Sequence, residues 1–161
     1  MAQVKSTPEC LHTLTAHLTV NGAAAAIDFY KRAFGAVELG RMPMPDGKLG
    51  HAHLKIGDSH LFLNDEPNFP GCAKSPQTLG GCSVTLHLNV DDVDAMFKQA
   101  VAAGAQAIMP PTDMFWGDRY GQVTDPFGQR WAIATHKEDV PPEEMQKRAE
   151  AAFAQMAQRK P

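Results

Sequence analysis

Histidine carries most of the chemistry this sequence can offer. His17 and His87 sit at the centre of two similar stretches, Leu14-Thr15-Ala16-His17-Leu18-Thr19-Val20 and Val84-Thr85-Leu86-His87-Leu88-Asn89-Val90, offset by 70 residues. His51 and His53 alternate in a third stretch, and His60 and Phe62 in a fourth. Imidazole changes charge near neutral pH, gives and takes hydrogen bonds, and ligates metals. Five of the seven histidines fall in these four stretches, with no carboxylate beside them. That composition points to hydrogen-bonding partners or proton carriers for a small ligand. A metal held by His17, His87 and either His53 or His60 is the less favoured use. A second group, Phe115-Trp116-Gly117-Asp118-Arg119-Tyr120, places three aromatics and a guanidinium beside a glycine. Such a loop could stack on a planar or apolar ligand, with Arg119 meeting an anion.

The elements that must position these residues follow from periodicity. Apolar and polar residues alternate through 14–20 and 83–90, the pattern of strands with one apolar and one polar face. Helix-forming segments follow both: 23–34, stopped by Gly35, and 91–103, stopped by Gly104. Further strands are expected at 37–44, 49–56 and 60–64. In the second half they are expected at 107–109, cut by Pro110-Pro111, at 120–124, and at 129–135 after the turn Asp125-Pro126-Phe127-Gly128. The chain divides into an arm (1–13), a first β-α-β-β-β module (14–66), a linker (67–81) and a second module (82–137). A C-terminal segment (138–161) carries a helix at 142–158, with Met145, Ala149, Ala152, Phe153 and Met156 as its apolar stripe. Cys72 and Cys82 flank the linker without a motif that would make either a nucleophile.

Composition narrows the classes. The 161 residues are 43% hydrophobic and 20% charged, as in one compact globular unit. A formal net charge of -3 argues against nucleic-acid binding. Three cysteines without CxxC spacing read as reduced thiols, and no apolar run reaches the length of a membrane span. The expectation is a cytoplasmic protein bound to neither membrane nor nucleic acid. No P-loop, dinucleotide fingerprint, HExxH or nucleophile elbow is present.

Two β-α-β-β-β modules, the segment Ile27-Asp28-Phe29-Tyr30 followed by Phe34-Gly35, and the closing Asp125-Pro126-Phe127-Gly128 together resemble the vicinal oxygen chelate superfamily. This is the group of glyoxalase I, extradiol dioxygenases and bleomycin-resistance proteins. The run from Asp113 to Gly121 resembles its PhnB-like branch. The resemblance implies an α+β fold in which the paired modules form an eight-stranded cup-shaped sheet with helices outside. In metal-bearing members each module supplies a His five residues before the Val that ends its first strand, and a Glu, sometimes His or Gln, in its fourth strand. Here those positions hold Thr15, Phe62, Thr85 and Ala132, which implies that the usual metal site is absent. It also implies dimerisation, with the C-terminal helix as an added contact surface.

Strand alternation then assigns the faces. Leu18, Leu61, Leu63, Leu86, Leu88, Trp131 and Ile133 back onto the helices. Thr15, His17, Thr19, His51, His53, His60, Phe62, Asn64, Thr85, His87, Asn89, Arg130 and Ala132 face the cup. His17, His87, Phe62, Trp116 and Arg119 are expected to line one shared cavity. The candidate ligand-binding residues are His17, His53, His60, Phe62, His87, Phe115, Trp116, Arg119, Tyr120 and Arg130, with no catalytic residue, metal or cofactor assigned. The leading reading is a metal-independent small-molecule binder, forming a homodimer. The alternative is a glyoxalase- or dioxygenase-like lyase, isomerase or oxygenase using a displaced metal. A methyltransferase is disfavoured, because no βα turn is suited to hold a methyl donor.

Overall fold

The computed structural model describes residues 7, 8 and 10–158. The arm expected over 1–13 therefore lies mostly outside the described residues, as do positions 159–161. Among the described residues two four-stranded mixed sheets form, each with a helix between its first and second strands. In the first, β1 (Ala16–Val20), α1 (Ala23–Phe34), β2 (Val37–Pro43), β3 (Leu49–Ile56) and β4 (Ser59–Asp65) give the strand order β1-β4-β3-β2. The second repeats it. After α2 (Pro76–Leu79) come β5 (Thr85–Asn89), α3 (Val93–Ala103), β6 (Gln106–Asp113), β7 (Asp118–Thr124) and β8 (Arg130–His136), in the order β5-β8-β7-β6. The eight strands thus fall into two sheets, and β1 and β5 are edge strands that do not hydrogen-bond to each other. A C-terminal helix, α4 (Pro142–Gln158), completes the chain.

The repeat extends to the helix starts. Asp65, at the end of β4, accepts the first backbone N–H groups of α1 from Gly22 and Ala23, both at 2.9 Å. Thr135, near the end of β8, accepts the first N–H of α3 from Val93 at 2.8 Å. Each satisfies a donor that a helix leaves open at its N-terminus. Gly35 and Gly104 close the two helices in the left-handed conformation, as their spacing predicts.

The core joins the two halves. α1 buries Ala26, Ile27, Phe29, Tyr30, Ala33 and Phe34, a stripe wide enough to cover more than its own sheet. Tyr30 and Phe34 reach across to Trp131 on β8, with ring centroids 5.3 and 4.5 Å apart. The buried Asp125 carboxylate accepts from Tyr30 Oη at 2.8 Å and from Trp131 Nε1 at 3.0 Å. Burial pushes the Asp125 carboxyl above its usual range, even though these donors and two backbone N–H groups pull the other way. The segment expected as an irregular linker contains α2, capped by Ser75. It ties both halves: Asn21 donates to Ser75 Oγ at 2.9 Å, and Gln77 donates to the Pro126 carbonyl at 3.0 Å.

One strand departs from expectation. β6 does not stop before Pro110-Pro111 but runs through them to Asp113. It is the outer strand of its sheet, and its register shifts on both sides of Met109. An edge strand with bulges does not need the missing amide donors of proline.

Candidate functional site

The face of the first sheet turned away from α1 is built around Phe62. Register places His17 and His53 on either side of it, because both pair directly with that residue. The Phe62 ring lies 4.8 Å from His53, 4.9 Å from His51 and 5.9 Å from His17, each edge-to-face. His60 stands next along β4, and its Nδ1 is 2.6 Å from His53 Nε2. Partial desolvation of its ring against the sheet, reinforced by His51, lowers the basicity of His17 against an opposing hydrogen bond with Asn64. Burial also lowers that of His53, with His60 and His51 adding to it. Toward the outer strand, exposed Val37 and Met42 continue the same face beside Lys55 and His51. The surface is thus aromatic and imidazole-rich, with the rings of His17 and His53 biased toward neutrality.

The second sheet presents a different mixture. His87 stacks obliquely on Tyr120 at 5.8 Å, and Tyr120 meets Trp116 edge-on at 5.7 Å. Phe115 follows at 5.0 Å from Trp116. Gln122 donates to the Tyr120 hydroxyl at 2.6 Å, and Trp116 donates its indole N–H to Asp118 at 2.9 Å. Arg130, opposite Thr85, is exposed on this face. Arg119 is not on it. Successive residues of a strand point to opposite sides, so Tyr120 beside His87 obliges Arg119 to face α3. There it forks onto Asp94 at 2.6 and 2.8 Å and also reaches Asp113. Alternation through β7 carried this information in the sequence.

His136 was not among the candidates. Its ring nitrogens lie 2.8 Å from Asp118 and 2.9 Å from Asp139, and these two carboxylates raise its basicity. Alternation from Arg130 along β8 places it on the same face and would have revealed it.

The expected single cavity is not what this chain forms. His60 and His87 share a cleft of about 120 Å³ at the seam, with Leu61, Leu86, Leu88 and Trp131. His17 lines a neighbouring crevice of about 330 Å³ under the linker, beside Lys74, Cys82 and Val84. Arg119 borders a third hollow on the far side of β7. The seam therefore brings His60 and His87 to one cleft, while His17 lines the crevice beside it. The rings around Phe62 and those around Tyr120 remain two separate, solvent-open surfaces, and His17 and His87 are both exposed.

A protein of this architecture has many relatives. The sequence model of the Glyoxalase/Bleomycin resistance protein/Dioxygenase superfamily matches residues 11–133. The chain belongs to that superfamily. An uncharacterised protein of Mycobacterium bovis, Mb0911c, is 50% identical over 135 residues, covering 83% of this chain and 89% of its own. The crystal structure of the Arabidopsis thaliana At5g48480 product is 31% identical with a TM-score of 0.63, covering 77% of this chain and 98% of that one. A PhnB protein of Bacillus cereus shares the fold at 16% identity and a TM-score of 0.60, over 77% of this chain and 99% of the other.

Phe62 pairs with His17 and Ala132 pairs with His87, so the fourth-strand positions are equivalent in the two modules. A phenyl ring and a methyl group stand where carboxylates would be needed, and threonines stand for the imidazoles. Such a set does not fit a divalent ion, which needs several nitrogen or carboxylate donors. Among the described residues, no three His, Cys, Asp or Glu side chains converge into an alternative site.

Proposed function

We propose that this superfamily member binds a small organic molecule without a metal ion, and that its ligand contacts the imidazole-aromatic faces of the two sheets. One observation supports the reading: Phe62 has three histidine rings against it, at the position that the resemblance to metal-bearing members assigns to a carboxylate ligand. The site is thereby converted from ion chelation to ring contacts and neutral hydrogen bonding. The faces around Phe62 and Tyr120 are open within one chain, so a homodimer is the natural completion: the first-module face of one copy meets the second-module face of the other. A two-fold pair satisfies both at once, because each chain carries both halves. Free Cys10, Cys72 and Cys82 accord with a reducing cell interior, and no helix is long and apolar enough to cross a membrane.

The decisive experiment is native mass spectrometry of the purified protein, with metal analysis of the same sample. The reading expects an organic adduct and no stoichiometric metal. Stoichiometric zinc, nickel or iron held between the modules would transfer the case to a lyase, isomerase or oxygenase.

A further inference from the structure

We propose that Phe153, on the C-terminal helix, is a positioning residue for the aromatic wall of the second-module face, acting through Phe115 on Trp116. The proposal rests on the reading of that face as a binding surface. Helix α4 lies beyond the 11–133 span shared with the superfamily, and it buries none of its own residues. Phe153 remains 59% exposed and Met156 58% exposed, so burial in the core cannot be what α4 contributes.

Its attachment is nevertheless specific, and three ties lead to the turn that carries Phe115 and Trp116. The Gly117 carbonyl accepts from the backbone N–H groups of Lys137 and Glu138, at 2.9 and 3.0 Å. Gly117 has a positive φ of 98°, and a Cβ there would lie 2.1 Å from the Glu138 carbonyl oxygen, so only glycine permits the approach. Arg148 of α4 forks onto the Glu138 carboxylate with two contacts of 2.8 Å. Phe153 then meets Phe115 edge-on at 5.7 Å. Contacts run without a gap from Phe153 through Phe115, Trp116 and Tyr120 to His87. Neither Phe115 nor Trp116 is fully buried, so the ring at the far end of the series restricts where the others can stand.

The test uses the full chain and needs no natural ligand. Trp131 is only 1% exposed, so acrylamide quenching of tryptophan fluorescence reports mainly on Trp116. Phe153→Ala should raise that quenching about twofold, and weaken binding of the aromatic dye anilinonaphthalene sulfonate about two- to tenfold, the range for losing one aromatic edge contact. Phe153→Leu should restore both, with the melting temperature unchanged throughout. Unchanged quenching in Phe153→Ala would overturn the proposal, whatever the dye does. If the wild-type chain takes up no dye, the binding reading loses its support, and quenching alone decides whether Phe153 positions Trp116.

Discussion

Three imidazoles crowd the Phe62 ring and a fourth touches its neighbour, and their proton affinities follow from that crowding. His17 and His53 are held below the usual value of 6.5, first by burial and then by neighbouring histidines. Below that pH the unfolded chain takes up protons that the folded chain resists. These residues therefore cost stability as pH falls under about 6.5, down to their folded-state values, and cost nothing above it. His136 behaves oppositely: its two carboxylates raise it, so its contribution is present at acid pH and is lost as pH rises through the folded-state value. A histidine NMR titration should place His17 and His53 below 6.5 and His136 above it. His17→Gln should flatten the acid limb of the melting-temperature profile. Burial also dictates the outcome at Tyr30. Removing its hydroxyl leaves Asp125 one donor short in the core, so Tyr30→Phe should cost about 1–3 kcal/mol in urea denaturation.

At the scale of elements, the root of α4 depends on a single hydrogen atom in place of a side chain. Gly117→Ala should drive the segment 137–140 off the β6–β7 turn, because its Cβ would meet backbone rather than a movable side chain. Amide hydrogen exchange should then accelerate throughout α4 while β4 and β8 keep their protection. Gly47→Ala is the contrast: its φ is also positive but the space around it is open, and it should cost only about 1–2 kcal/mol by denaturation. The sequence makes some of this organisation legible. The limits of α1 are readable because alanines and a stop glycine agree, and those of α4 because Pro142 and two glutamates mark its start. The continuation of β6 through Pro110-Pro111 is not legible, because a proline pair excludes a central strand but not an outer one, and sheet order is not local information. The histidine face was readable from alternation alone. Its division from the Tyr120 face was not, since it depends on how two sheets meet along β1 and β5. Arg119 adjoins the aromatic residues in sequence, yet strand geometry sends it to Asp94 on α3.

For the whole molecule, the proposed two-copy site makes a prediction that no single-chain site would share. Phe62→Ala breaks the first-module half and Trp116→Ala the second, so each variant alone should lose the anilinonaphthalene sulfonate dye. Mixed after unfolding and refolding, the two variants should recover binding, since one of the two sites in a mixed dimer draws both halves from intact faces. No recovery in mixed dimers confirmed by mass would confine the site to one chain. The tie between Tyr30 and Asp125 has a consequence for how the chain is made. The two residues are 95 positions apart, and Trp131, the partner of Phe34, lies on β8, the last strand. During synthesis the first module emerges before Asp125 and Trp131, so the hydrogen-bond partner of Tyr30 and the ring against Phe34 arrive only with the end of the second module. Closing so long a loop before the reward arrives slows folding. The molecule should therefore refold in one slow transition, and a fragment ending in the linker should be sticky and prone to aggregate.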